Sequence, residues 1–281
     1  MSEIFDSRNC FLGEGPFWHP QREQLFWFDI INCRLLSRKG EQVFEWNFEV
    51  SVSACGWINS EQLLIAAENA LLVFDINTGS SSELIALEAD NTLTRSNDGR
   101  ADPFGGFWVG TMGKKAEPEA GAIYRYFQGE LRRLHARITI PNSICFSPDG
   151  SRAYFADTSK QIIWTQKLGA NGWPDAEPEI FLDLTSKGLY PDGSVVDAGG
   201  DLWNAQWGSG SVARYSQKGE FLERVYVSGV HSSCPAFGGS GFDTLYVTTA
   251  QEGIELPSTA DGVVYQVKAA ATGQPEPQII L

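Results

Sequence analysis

Apolar and polar positions along the chain alternate in short blocks, with hardly any sustained helical period. Runs rich in Val, Ile, Phe, Tyr and Trp recur at regular spacing and are closed by Gly, Asp, Asn or Pro, the pattern of β-strands joined by tight turns. Aligned with one another, the runs give a repeating unit: a short apolar strand, a turn, a second strand with an aromatic centre, a third strand, and a more polar fourth. Second strands are predicted at 25–30 (LFWFDI), 63–68 (LLIAAE), 107–112 (FWVGTM), 153–158 (AYFADT), 202–207 (LWNAQW) and 245–250 (LYVTTA), with third strands following each. Taking Phe26, Leu64, Trp108, Tyr154, Trp203 and Tyr246 as equivalent points, the copies are 38, 44, 46, 49 and 43 residues apart. An all-β, six-bladed β-propeller with four antiparallel strands per blade accounts for this internal similarity, which a sandwich would not require. The longest polar insertions, 113–120 and 169–178, fall inside the repeat, so residues 1–281 are expected to form a single domain.

Composition narrows the partners. The 281 residues carry a formal charge of −14, and no basic stripe is visible, which excludes nucleic acid as an expected partner. The first residues, MSEIFDSRN, lack a basic start and an apolar core, and nowhere do about 18 uncharged apolar residues run together. The expectation is a cytoplasmic protein, monomeric or weakly dimeric, without membrane contact. Five cysteines are scattered through apolar segments with no C-x-x-C spacing and are expected to be buried, reduced thiols. Three histidines lie far apart without H-x-x-x-H spacing, which weakens a zinc-hydrolase reading.

The candidate chemistry comes from the starts of the inner strands. In a propeller these strands line the central channel, so equivalent positions near their starts form a ring. The positions are Glu14, the small segment Ser53-Ala54-Cys55, Asn97, Asn142, Asp192, and an uncharged site near Cys234-Pro235. Counted back from the aromatic anchors, Glu14 and Asn142 lie 12 residues away, Asn97 and Asp192 lie 11. Any one of these reads as a turn residue beside Pro or Gly; four oxygen-bearing side chains in one register read as a cation cage. Oxygen donors suit one hard divalent ion, calcium first, then magnesium or manganese, and the set leaves zinc and iron(II) open. A buried carboxylate such as Glu14 also needs such a partner, because burying it alone costs several kcal/mol.

Four stretches, GEGPFW (13–18), RSNDGRADPFGGFWVGTM (95–112), PNSICFSPDG (141–150) and PDGSVVDAGGDLW (191–203), resemble the SMP-30/gluconolactonase family, and the resemblance extends over essentially the whole chain. It implies a six-bladed propeller holding one divalent metal through Glu14, Asn142 and Asp192, with Arg95 and Asn97 contacting substrate. A further family acid, also expected to contact substrate, falls on Glu117, with Glu119 in the same loop as the alternative. The reaction implied is metal-dependent hydrolysis of a sugar lactone, a small molecule, to the aldonic acid. The metal would act as Lewis acid, Asp192 would be the general base, and Trp207 could form an aromatic wall. No G-x-S-x-G elbow is present, so acyl-enzyme chemistry is not expected. The alternatives are a metal-dependent phosphotriesterase-like hydrolase and a non-catalytic calcium-binding propeller.

Overall fold

The structure, a computed structural model, describes residues 2–281. It contains six four-stranded antiparallel sheets arranged as a propeller. Blades 1 to 5 are built from consecutive strands, with inner strands Gly13–His19, Val52–Trp57, Thr94–Ala101, Pro141–Phe146 and Tyr190–Val196. Blade 6 starts with the inner strand His231–Gly238 and takes its outermost strand, Glu3–Asp6, from the other end of the chain. This pairing locks the ring with backbone hydrogen bonds. The repeat alignment did not reach it, because Glu3–Asp6 is a lone, mostly exposed strand with no unit of its own.

Burial falls from the axis outward and explains which strands were legible. The second strand of blade 1, Gln24–Asp29, is buried at every position, whereas the fourth, Gln42–Asn47, alternates between exposed and half-buried. Aromatic and aliphatic side chains fill the space between neighbouring blades: Phe26, Phe28, Leu63 and Ile65 pack together between blades 1 and 2. All five cysteines are free; four are buried as expected, but Cys33 lies half-buried in a turn with a left-handed backbone. Among the described residues, no helix is long and apolar enough to cross a membrane.

Residues beyond the last strand, Val264–Lys268, cross the hairpin end of the propeller as an extended tail. The tail is stitched to several blades in turn. Gly273 N–H donates to the Phe242 carbonyl at 2.7 Å, Gln274 Nε2 to the Val196 carbonyl at 3.2 Å, and Ile279 and Ile280 N–H to the carbonyls of Trp57 and Gly105, both at 2.8 Å. Glu276 enters the channel from this side and pairs with the buried guanidinium of Arg100.

Candidate active site

Every inner strand carries a β-bulge near its start, where one extra residue interrupts pairing with the second strand. A bulge bends the strand and re-aims the side chains beside it. Glu14 and Asn142 are the last paired residues before their bulges, opposite Phe28 and Ala156. Asn97 and Asp192 are the first residues inside theirs. The four are therefore not strictly equivalent positions of the inner strand, and neither are the anchors: Phe26 and Tyr154 pair with the residues that close the bulge, Phe17 and Cys145, whereas Trp108 and Trp203 pair one residue beyond it, with Arg100 and Val195. In an unbroken strand such neighbours would face opposite sides of the sheet; here the bulge turns both kinds towards one space. Gly15 and Ser143, which follow Glu14 and Asn142, take left-handed backbone at φ 54° and 59°. At Gly15 a Cβ would stand 2.3 Å from the Ser53 carbonyl oxygen, so only glycine fits. Blades 2 and 6 place Ser53 and Ser233 inside their bulges, and those hydroxyls bond Ser96 and the Gly13 carbonyl of neighbouring blades.

The space they share is a cavity of about 790 Å³ at the end of the channel opposite the tail, lined by Glu14, Arg95, Asn97, Asn142 and Asp192 among others. A hydrogen-bond chain orders its wall. Arg95 Nη1 donates to Asn97 Oδ1 at 2.8 Å, and Asn97 Nδ2 donates to Asn142 Oδ1 at 3.0 Å. Asn142 Nδ2 donates to the Thr158 hydroxyl at 2.8 Å, which in turn donates to the Pro191 carbonyl beside Asp192 at 2.7 Å. Thr158 thereby fixes which face of the Asn142 amide presents its oxygen. Arg95 is buried, and among the described residues no carboxylate forms a salt bridge with it. Asp98 instead accepts the N–H groups of Gly99 and Ile144, and Asp102 pairs with Arg125.

The electrostatics suit a cation. Burial, then the Asp98 charge, raises the pKa of Glu14; burial, then the Glu14 charge, raises that of Asp192 well above the usual range. Asp98, one layer deeper, is pushed up to about 6, again mainly by burial. Among the described residues Glu14 accepts only the Gly15 N–H, at 3.0 Å. Two buried carboxylates with raised pKa values, beside an amide oxygen, form a donor set that a divalent ion would neutralise.

Two expectations are refined. Glu117 does not line the cavity, although Lys114, Lys115 and Ala116 of its loop do; its carboxylate turns back to accept the Lys115 N–H at 3.0 Å. Glu119 pairs with Arg137 on the outside of the propeller. Trp207 does line the cavity, as do Met112 and Thr158. Each of these three lies four residues past an anchor aromatic, at the end of a second strand or, for Thr158, just beyond it. The same repeat, counted forward as well as back, carries that signal. His231 and Glu252, also on the wall, follow no such count.

Comparison with known proteins places these features in context. The family model described as SMP-30/Gluconolactonase/LRE-like region matches residues 12–251. An L-arabinolactonase from Azospirillum brasilense is 35% identical over 272 residues, covering 92% of this chain and 87% of its own length. A pentonolactonase from Haloferax volcanii is 32% identical, covering 98% of this chain and 97% of its own. The crystal structure of a calcium-binding protein, regucalcin, from Agrobacterium tumefaciens superposes with a TM-score of 0.98 at 37% identity, over 100% of this chain and 98% of that one.

Proposed function

Because the chain belongs to the SMP-30/gluconolactonase/LRE-like family, we propose that it hydrolyses a sugar lactone to the corresponding aldonic acid with the help of one divalent cation. The observation that carries this reading is the convergence of Glu14, Asn142 and Asp192 on one cavity that also holds Arg95 and Asn97. The lactonase names of the relatives support the substrate class, and the calcium-binding neighbour supports calcium as the ion.

Glu14, Asn142 and Asp192 would hold the cation. When bound, it supplies an electrophile that polarises the lactone carbonyl. Asp192 takes a proton from the attacking water, whose oxygen bonds to the carbonyl carbon. The ring C–O bond breaks and the departing ring oxygen gains a proton, giving the hydroxy acid. Arg95 and Asn97 hold substrate oxygens in place; the bonds Arg95 already makes to Ser96 and Asn97 restrict its guanidinium before substrate arrives.

The deciding experiment is turnover of a panel of sugar lactones by chelator-stripped and calcium-reconstituted protein. Activity should vanish on stripping and return on reconstitution. Turnover of an organophosphate triester alone, or full lactone turnover without metal, would overturn the proposal. A second expected result separates substrate clamp from cage. Arg95→Ala should lower kcat/KM by about 10- to 100-fold, equivalent to one or two charge-assisted hydrogen bonds of about 1.5–3 kcal/mol, while calcium affinity moves by less than about threefold. Parallel kinetics and calcium titration check it; unchanged kinetics would remove Arg95 from the substrate site.

A further inference from the structure

The cavity wall also carries polar side chains without a partner among the described residues. Glu252 follows the second strand of blade 6, Thr244–Ala250. Its backbone is held firmly: the N–H groups of Gln251 and Glu252 both donate to the Phe11 carbonyl, at 2.9 and 3.0 Å. Its half-buried carboxylate lines the cavity and makes no hydrogen bond or ion pair among the described residues. At the other end of the loop, buried Asp261 accepts the Val230 N–H at 2.9 Å and the N–H and hydroxyl of Ser258 at 2.9 and 2.8 Å. One carboxylate thus joins the loop bearing Glu252 to the strand that begins at His231.

His231 lies flat on Trp207, with ring centroids 4.2 Å apart and planes within 7°. Burial lowers the pKa of His231 and so favours the neutral ring, which has one N–H and one lone pair; among the described residues its buried Nδ1 has no partner. A carboxylate free to accept hydroxyl protons, beside a flat aromatic stack, matches a polyhydroxylated ring. Hydroxyls donate charge-assisted bonds to the acid while the C–H face rests on the aromatic surface. An anionic substituent directed at this wall would meet the charge of Glu252.

We propose that Glu252, with the stacked pair Trp207 and His231, reads the hydroxyl groups of an uncharged polyhydroxylated lactone and sets the specificity of the site. This rests on the lactonase reading above. The test compares kcat/KM for an aldonolactone with kcat/KM for a lactone of the same ring size bearing no hydroxyls, in wild type, Glu252→Ala and Glu252→Gln. In Glu252→Ala the ratio of the two should fall by about 10- to 100-fold, chiefly through KM for the aldonolactone. Glu252→Gln, which keeps one acceptor oxygen, should fall in between. A ratio that moves by less than about threefold, including an equal loss on both lactones, overturns this inference while leaving the lactonase reading standing. Wild type that turns over neither lactone overturns both.

Discussion

Replacing Asp192 by Asn is expected to lower kcat on a sugar lactone by about 10³-fold, because the change removes the proposed general base while keeping the side chain's shape. The same substitution weakens the cation cage, so calcium affinity should fall with it. Its effect on stability should have the opposite sign in metal-free protein. Burial and the Glu14 charge raise the Asp192 pKa well above its ordinary 3.8. A carboxyl group raised in the folded state contributes stability that is complete below its unfolded value and is lost as pH rises through the folded one. Metal-free wild type should therefore lose stability as pH rises from about 4, and Asp192→Asn removes that loss. Thermal melts in chelator should find the variant more stable than wild type at pH 7, with the gap closing towards pH 4; saturating calcium should reverse the order. Retained kcat would exclude Asp192 as the base, and melts with no such crossover would exclude the conflict between the two carboxylates.

The second large effect concerns the opposite end of the channel. Glu276→Ala should destabilise the protein by about 3–5 kcal/mol, because it leaves the Arg100 guanidinium buried without its partner. At about 2–4 °C per kcal/mol for a chain of this size, the melting temperature should drop by roughly 6–20 °C. Replacing both members with methionine, Arg100→Met with Glu276→Met, should recover most of the loss, since an apolar pair of similar volume removes the uncompensated charge. Calorimetric melts of the three proteins check this. A double variant as unstable as Glu276→Ala would mean that the tail contributes through its backbone bonds and not through the ion pair.

The parts of this protein that repeat were legible in its sequence, and the parts that occur once were not. The second strands stand out because burial on both faces favours apolar residues, as in the run from Leu63 to Ala67. Glu14, Asn97, Asn142 and Asp192 were found because each recurs at nearly one distance from an aromatic anchor. The bulges themselves left no mark, since an extra residue in a strand looks the same as a longer turn. Nothing periodic announces the tail, with its Pro275 and Pro277, or the closing strand Glu3–Asp6. Glu117 was misplaced for a related reason: the loop from 113 to 120 has left-handed residues at Ala116 and Glu119, and such turns decouple side-chain direction from sequence count.

The bulges also bear on how this ring could diversify. Each blade offers the channel two adjacent stations, one before its bulge and one within it, twelve in all around six blades. Moving a donor between the two shifts it by about one residue's rise, 3.3 Å, with no change in strand register. Glu14 and Asn142 use the first station, Asn97 and Asp192 the second. A single substitution can therefore lengthen, shorten or vacate one coordinate of the cage while the β-ladder that carries it stays as it is. Descendants of such a ring can acquire a different ion or a different reaction by exchanging occupants among fixed stations, without having to evolve a new scaffold.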